Sequence, residues 1–203
     1  MPKIPSLKKS AVFLDRDGTI NKDVGYPNSY GMIEIFSFSF EAVKRINSAG
    51  LLAVIVTNQS GVGRGFIEEK NLHDLHRKLV LDFARKNAHF DGIYYCPHYV
   101  QSESQEYRKD CACRKPNIGM AQQAAQDLDI DTSNSFMIGD KVEDILFGIN
   151  IKAAPILVLT GFGPKSLPEL RAKGIKPAYV AQDLRDAVDW IIRKRQGHAP
   201  IKA

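Results

Sequence analysis

Short apolar runs alternate along the chain with stretches in which apolar residues recur every three or four positions. Residues 11–15 (Ala-Val-Phe-Leu-Asp) read as a short buried strand, as do 51–57 (Leu-Leu-Ala-Val-Ile-Val-Thr), 93–95, 135–138, 156–159 and 179–180. Between them, Phe40, Val43 and Ile46 are spaced for a helix that Gly50 ends. Leu72, Leu75, Leu79 and Phe83 form a helical stripe within 68–88, and Ile118, Ala121, Ala125 and Leu128 form another. A helix is expected over about 141–150, and Leu184, Ala187, Val188 and Ile191 mark a closing one. Strands alternating with helices predict βαβ units, a parallel sheet and a three-layer, Rossmann-like α/β fold. No repeat or linker divides the sequence, so one domain is expected over 1–203.

Composition narrows this picture only slightly. The hydrophobic fraction of 44% and charged fraction of 25% suit a soluble globule, and no apolar run reaches the roughly 20 residues that span a bilayer. Residues 1–10 lack the apolar region of a signal peptide, so a cytoplasmic location is expected, with reduced cysteines. The net charge of +5 permits an anionic partner, but the basic residues are scattered. The cluster Arg193-Lys194-Arg195 reads as a solvated helix end rather than a nucleic-acid site.

The candidate chemistry lies where strands end. Ligands of open α/β sheets sit beyond the carboxyl ends of the strands. There the first strand delivers Asp15-Arg16-Asp17-Gly18-Thr19. Residues i and i+2 of an extended segment point the same way, so Asp15 and Asp17 are able to face one pocket. Two such carboxylates repel unless a cation or a proton intervenes, which suits a Mg²⁺ site with one nucleophilic and one proton-carrying acid; a solvated Asp-x-Asp-Gly turn is the plain alternative. The second strand ends in Thr57-Asn58-Gln59-Ser60-Gly61, a turn able to wrap phosphate oxygens. Arg114-Lys115-Pro116 places two cations before a helix, with Pro116 suited to its first turn. The fourth strand ends in Gly139-Asp140, with Asp144 one helical turn on; Asp140 is fit to complete an oxygen-rich Mg²⁺ shell, and Asp144 to hold a ligand or a lysine.

All three cysteines fall in one stretch. Cys96, His98, Cys111 and Cys113 form a potential tetrahedral Cys₃His set, which as a closed site would hold structural Zn²⁺. The spacing alone leaves open free thiols beside a surface histidine. His73, His76, His89 and His198 read as solvated or packed.

The motifs Asp15-Arg16-Asp17-Gly18-Thr19, Thr57-Asn58, Lys115 and Gly139-Asp140…Asp144, in this order, resemble those of the haloacid dehalogenase superfamily of phosphohydrolases. The strings 13–21 (Phe-Leu-Asp-Arg-Asp-Gly-Thr-Ile-Asn), 56–61 (Val-Thr-Asn-Gln-Ser-Gly) and 93–98 (Ile-Tyr-Tyr-Cys-Pro-His) are similar to the heptose bisphosphate phosphatases, whose near relatives are histidinol-phosphate phosphatases. The resemblance runs from about residue 11 to 160. It implies that Asp15 attacks phosphorus to form an aspartyl-phosphate while Asp17 serves as general acid and then base. It also implies Mg²⁺ held by Asp15, the Asp17 carbonyl and Asp140 close to the Lys141 backbone, with Thr57, Asn58 and Lys115 stabilising the transferring phosphoryl group. Asp23, Val24, Gly25, Tyr26, Gln59, Ser60 and Arg114 would line the substrate site, and the homologous enzymes carry Zn²⁺ at the Cys₃His positions.

The intervals 16–56 and 58–114 leave no room for a separate cap domain. An open, capless active site is therefore expected, with the zinc-stapled loop at 96–113 as its nearest wall. Within the resemblance, removal of the 7-phosphate of D-glycero-D-manno-heptose 1,7-bisphosphate is the favoured activity, with Arg64 a candidate for the second phosphate. Histidinol phosphate is the alternative substrate. A nucleic-acid 3′-phosphatase would want a basic groove interleaved with aromatics, which is not seen, and a non-catalytic zinc-loop interaction module would have no use for the intact acids. A small-molecule sugar bisphosphate is thus the expected partner, with neither nucleic acid nor membrane, and a monomer is expected.

Overall fold

The structure is a computed structural model and describes residues 8–197; His198 and the first seven residues of the leader-peptide reading lie outside the described residues. Six strands form one sheet: β1 (Ala11–Leu14), β2 (Leu52–Asn58), β3 (Gly92–Cys96), β4 (Phe136–Gly139), β5 (Ala154–Val158) and β6 (Tyr179–Ala181). Their spatial order is β3-β2-β1-β4-β5-β6, and every pairing is parallel. The chain builds outward from β1 in one direction, then returns to its other side with β4. The crevice beyond the carboxyl ends of β1 and β4 is therefore the topological switch point where such sheets bind ligands.

Side-chain alternation on β1 assigns the two layers. Val12 and Leu14 face a core shared with α1 (Ser39–Ser48), α3 (Glu69–Ala84) and α7 (Leu184–Arg195), while Ala11 and Phe13 face α4 (Gly119–Leu128) and α5 (Val142–Asn150). Because β1 is covered on both faces, all four of its residues are buried, which is why it reads as an unbroken apolar run. Gly50 follows α1 at φ +69°, a conformation glycine reaches without a Cβ penalty.

The expected elements are present, with ends displaced by a residue or a few. Helix α6 (Gly163–Ala172) was not foreseen, because Pro168 inside it argues against a helix. It forms because Leu167 and Leu170 pack with Val142, Ile145 and Leu157, so tertiary burial overrides local propensity. A one-turn helix, α2 (Ser60–Gly63), and short 3₁₀ turns at Tyr30–Met32 and Thr132–Asn134 also escape the periodicity. The expectation for Pro116 is corrected: α4 starts only at Gly119, after a turn in which Asn117 N–H donates to Arg114 O, and the Lys115–Pro116 peptide is cis.

Phe13 lies at the centre of the sheet with its ring edge-on to Phe147, centroids 6.4 Å apart. Phe13→Ala is expected to lower unfolding free energy by about 3–5 kcal/mol through lost burial and the cavity left behind; urea denaturation checks this, and a loss under 1 kcal/mol would contradict the packing described.

Candidate active site

Three buried carboxylates meet at the switch point. Oxygens of Asp15, at the end of β1, Asp140, just past β4, and Asp144, in the first turn of α5, lie within 4.8 Å of one another. One ammonium balances them in part. Lys115 is buried and uses all three of its protons, on Asp15 Oδ1 (2.9 Å), Asp144 Oδ1 (2.6 Å) and Val56 O (2.8 Å). Burial alone would depress Lys115, but the charges of Asp144 and Asp15 outweigh it and hold its pKa above the ordinary value. The lysine is itself placed by Asn58, which accepts from Lys115 N–H at 3.0 Å and donates to its carbonyl at 3.2 Å. Asp144 thus takes the lysine-holding role foreseen for it, and its second oxygen caps α5 by accepting from Lys141 N–H.

Asp140 carries the residual stress. Burial, then the neighbouring charges of Asp15 and Asp144, push its pKa up to about 8, with the Phe162 N–H and Lys141 offsetting only part. Its Oδ2 accepts from Phe162 N–H at 2.7 Å, whereas Oδ1 is buried with no hydrogen-bond partner. A Cβ added at Gly18 (φ +85°) or at Gly161 (φ +54°) would come within 2.1 or 2.2 Å of Asp140 Oδ2, so the carboxylate is gripped between two backbone segments. Thr160 Oγ1 ties those segments together by donating to Gly18 O at 2.6 Å. An orphaned carboxylate oxygen beside two further carboxylates, in an all-oxygen donor set, fits a hard divalent cation such as Mg²⁺.

Asp17 has a different environment from Asp15. Each of its carboxylate oxygens accepts two donors: Oδ1 from Arg16 Nε (3.1 Å) and Asn21 Nδ2 (2.9 Å), Oδ2 from Arg16 Nη2 (2.7 Å) and Gln59 Nε2 (2.9 Å). Burial works against its charge, but Arg16 and these hydrogen bonds outweigh burial and hold its pKa below the usual carboxylate value. Arg16 is fully buried, and its Nη1 lies 3.0 Å from Nε2 of His76 on α3. Burial, then the Arg16 charge, lowers His76 to about 3, so its imidazole is neutral. The packed reading of His76 is correct, but the polar contact was missed.

A cavity of 330 Å³ opens onto these groups. Asp15, Asp17, Asp23, Gly25, Tyr26, Thr57, Asn58, Gln59, Ser60, Gly61, Arg114, Lys115 and Lys141 line it, as do the unforeseen Glu143 and Phe162. Lys141 Nζ pairs with Asp23 at 2.9 Å and lies 4.9 Å from the centre of the Phe162 ring. Two expected wall residues are elsewhere. Val24 is exposed and does not line the cavity, although Asp23, Gly25 and Tyr26 on either side of it do. Arg64 stacks over the Tyr99 ring, 3.7 Å from its centre, and lines a neighbouring cavity with Phe66 and Tyr107. The loop 96–113 is likewise not a wall; only Arg114 and Lys115, which follow it, reach the cavity.

The four thiol and imidazole groups do converge. Cys96 Sγ is 3.4 Å from Cys111 Sγ and 3.7 Å from His98 Nδ1; Cys113 Sγ is 3.2 Å from Cys111 Sγ and 3.1 Å from His98 Nδ1. Ligands of a tetrahedral Zn²⁺ with bonds of 2.0–2.3 Å are spaced by about 3.5–3.8 Å, so the cluster fits a closed zinc site with little adjustment. The loop is also anchored through Glu69, which accepts from the hydroxyls of Tyr95 and Tyr107, each at 2.8 Å.

A parallel sheet of this order, with an Asp-x-Asp pair beyond its central strand and a lysine and further acids on the adjoining strand ends, defines a phosphohydrolase of the haloacid dehalogenase type. Comparison with known proteins agrees. A family model described as "HAD-hyrolase-like" matches residues 112–187. The D-glycero-beta-D-manno-heptose-1,7-bisphosphate 7-phosphatase of Pasteurella multocida is 45% identical over 75% of this chain and 83% of that protein; the enzyme of the same name from Vibrio cholerae is 40% identical over 94% of this chain and all of its own. The crystal structure of D,D-heptose 1,7-bisphosphate phosphatase from B. bronchiseptica, complexed with magnesium and phosphate, superposes with a TM-score of 0.81 at 30% identity, covering 91% of this chain and 99% of that one. The chain belongs to the D-glycero-D-manno-heptose 1,7-bisphosphate 7-phosphatase family.

The buried neutral His76 makes stability pH-dependent. Its pKa is about 3 when folded and about 6.5 when unfolded. As pH falls below 6.5 the unfolded chain takes up a proton that the native one does not, so stability is lost on acidification. Between pH 7.5 and 5.5 the wild type is expected to lose about 1–1.5 kcal/mol more than His76→Gln. Urea denaturation at both pH values checks this; equal losses would mean that His76 is already charged in the native state.

Proposed function

We propose that this protein removes the 7-phosphate of D-glycero-D-manno-heptose 1,7-bisphosphate through an aspartyl-phosphate. The observation that carries the reading is the bridge from Lys115 to both Asp15 and Asp144, which sets a buried Asp15 carboxylate against an ammonium at the wall of the cavity. The substrate comes from the named relatives, among which histidinol phosphate finds no support. Asp15 Oδ attacks phosphorus in line, and the bond from phosphorus to the sugar oxygen breaks. Asp17, protonated in the substrate complex in place of one of its four donors, gives that proton to the leaving oxygen, then takes one from the water that attacks the aspartyl-phosphate, and release of phosphate restores Asp15. Lys115 and the donors of the 57–60 turn stabilise charge on the transferring group. Arg114, with a guanidinium suited to bidentate contact, is the rim cation for the second phosphate; the position of Arg64 over Tyr99 removes it from that role.

Asp15, the Asp17 carbonyl and Asp140 Oδ1 would hold Mg²⁺, beside the Lys141 backbone. When bound, the metal would neutralise the acid cluster and polarise the phosphoryl oxygens. Cys96, His98, Cys111 and Cys113 would hold structural Zn²⁺. We read the chain as one phosphatase domain carrying this loop at 96–113 and acting as a cytoplasmic monomer; no described helix is long and apolar enough to cross a membrane.

Phosphate release from both heptose bisphosphate anomers, histidinol phosphate, fructose 1,6-bisphosphate and a 3′-phosphorylated oligonucleotide tests the reading. A heptose anomer is expected to give the highest kcat/KM, and Asp15→Asn to abolish turnover with the fold intact. A preference for histidinol phosphate would overturn the substrate, and turnover by Asp15→Asn the covalent mechanism.

Metal analysis of fresh protein is expected to find about one Zn²⁺ per chain. Its removal by chelation is expected to lower Tm and raise hydrogen exchange in 96–113, because zinc binding is coupled to ordering of the loop. Protein without zinc whose exchange in this loop matches that of zinc-loaded protein would refute the site.

A further inference from the structure

His76 projects from α3 towards the underside of the catalytic pair and lines no part of the active-site cavity. Its surroundings nevertheless dictate its chemistry. An arginine nitrogen only donates, so the 3.0 Å contact with Arg16 Nη1 requires a lone pair on His76 Nε2 and places the ring proton on Nδ1. The pKa of about 3 keeps that lone pair available across the working range. The Tyr95 ring packs 5.8 Å from the imidazole and closes it off from one side.

Arg16 passes the constraint on. Its Nη2 donates to Asp17 Oδ2 and to Gln59 Oε1, the latter at 3.1 Å. This forces the Gln59 amide to turn its NH₂ towards Asp17 Oδ2 and Thr57 Oγ1, each at 2.9 Å. With Arg16 Nε and Asn21 completing the set, the two oxygens of Asp17 meet four donors, as many as a carboxylate accepts. We propose that His76 is a positioning residue for proton transfer, acting through Arg16 to fix the orientation of the Asp17 carboxylate. Among the described residues Arg16 Nη1 has no other hydrogen-bond partner, so without the imidazole acceptor a buried guanidinium N–H loses its partner, and the fork is free to turn and carry Asp17 with it.

This inference rests on Asp17 as general acid, and the test separates the two by leaving group. kcat/KM reports steps through formation of the aspartyl-phosphate. A sugar alkoxide must be protonated as it leaves, whereas p-nitrophenolate leaves without help. The measurements compare kcat/KM for p-nitrophenyl phosphate with that for whichever sugar bisphosphate the wild type turns over fastest. His76→Leu, which offers no acceptor, and His76→Asn, which is polar but too short to reach Arg16, are expected to lose about 10–100-fold on the sugar substrate and under about 3-fold on the aryl one. His76→Gln, whose Oε1 reaches as far as Nε2, is expected to restore the sugar rate to within about 5-fold. Asp17→Asn is expected to show the same selectivity more strongly, by about 10²–10⁴-fold on the sugar substrate. If Asp17→Asn is selective and soluble, folded His76→Asn loses equally on both substrates or on neither, the positioning role is overturned. If Asp17→Asn itself shows no selectivity, it is the general-acid reading that fails.

Discussion

The site is organised by one problem of charge: three carboxylates buried within a few ångströms of each other at the switch point of the sheet, with a single buried ammonium among them. Breaking a buried pair by removing one partner costs about 3–5 kcal/mol, because the other charge is left without compensation. Lys115 is therefore part of the fold as much as of the proposed reaction. Asn58 holds its backbone, Val56 O and Asp144 hold its ammonium, and these contacts join the ends of β2 and β1 to the start of α5. The strand order that brings β1 and β4 side by side is what makes the cluster possible, and the lysine is what makes it tolerable.

The acid pair next to it is solved in the opposite manner. Asp15 and Asp17 are two residues apart, yet Asp15 belongs to the Lys115 cluster and Asp17 to the Arg16 fork. Different partners give two chemically identical side chains different environments, which is the division that the proposed nucleophile and proton carrier need. The zinc-type cluster is separate again: it orders a polar loop whose other anchors are the tyrosines bound to Glu69, and it touches the cavity only through Arg114 and Lys115 beyond its end.

Much of this was legible in the sequence because strand ends are marked by abrupt polarity after apolar runs. Asp15, Asp17, Thr57 and Asp140 stand at or just past such ends, and parallel pairing brings them to one edge of the sheet; Lys115 reaches it from the loop before α4. What was not legible follows from tertiary contacts and periodicity. Arg16 lies between the two acids, and its guanidinium both folds onto Asp17 and reaches down to His76, a partner that no sequence pattern names. His76 sits among Leu72, Leu75 and Leu79 and so reads as core. Val24 and Arg64 show the converse error: adjacency to motif residues suggested a shared pocket, but Val24 faces solvent between cavity-lining neighbours and Arg64 finds an aromatic ring instead. Helix α6 was hidden by its internal proline, since only packing against α5 and β5 makes it a helix.

The grip on Asp140 has a consequence for how the site responds to disturbance. With the Gly18 and Gly161 backbones close to one oxygen and the Phe162 amide bound to it, the carboxylate has little room to move away from its neighbours. A carboxylate so hemmed in answers a change in charge at the switch point chiefly by a proton or a cation arriving or leaving, so occupancy is the soft coordinate of the site.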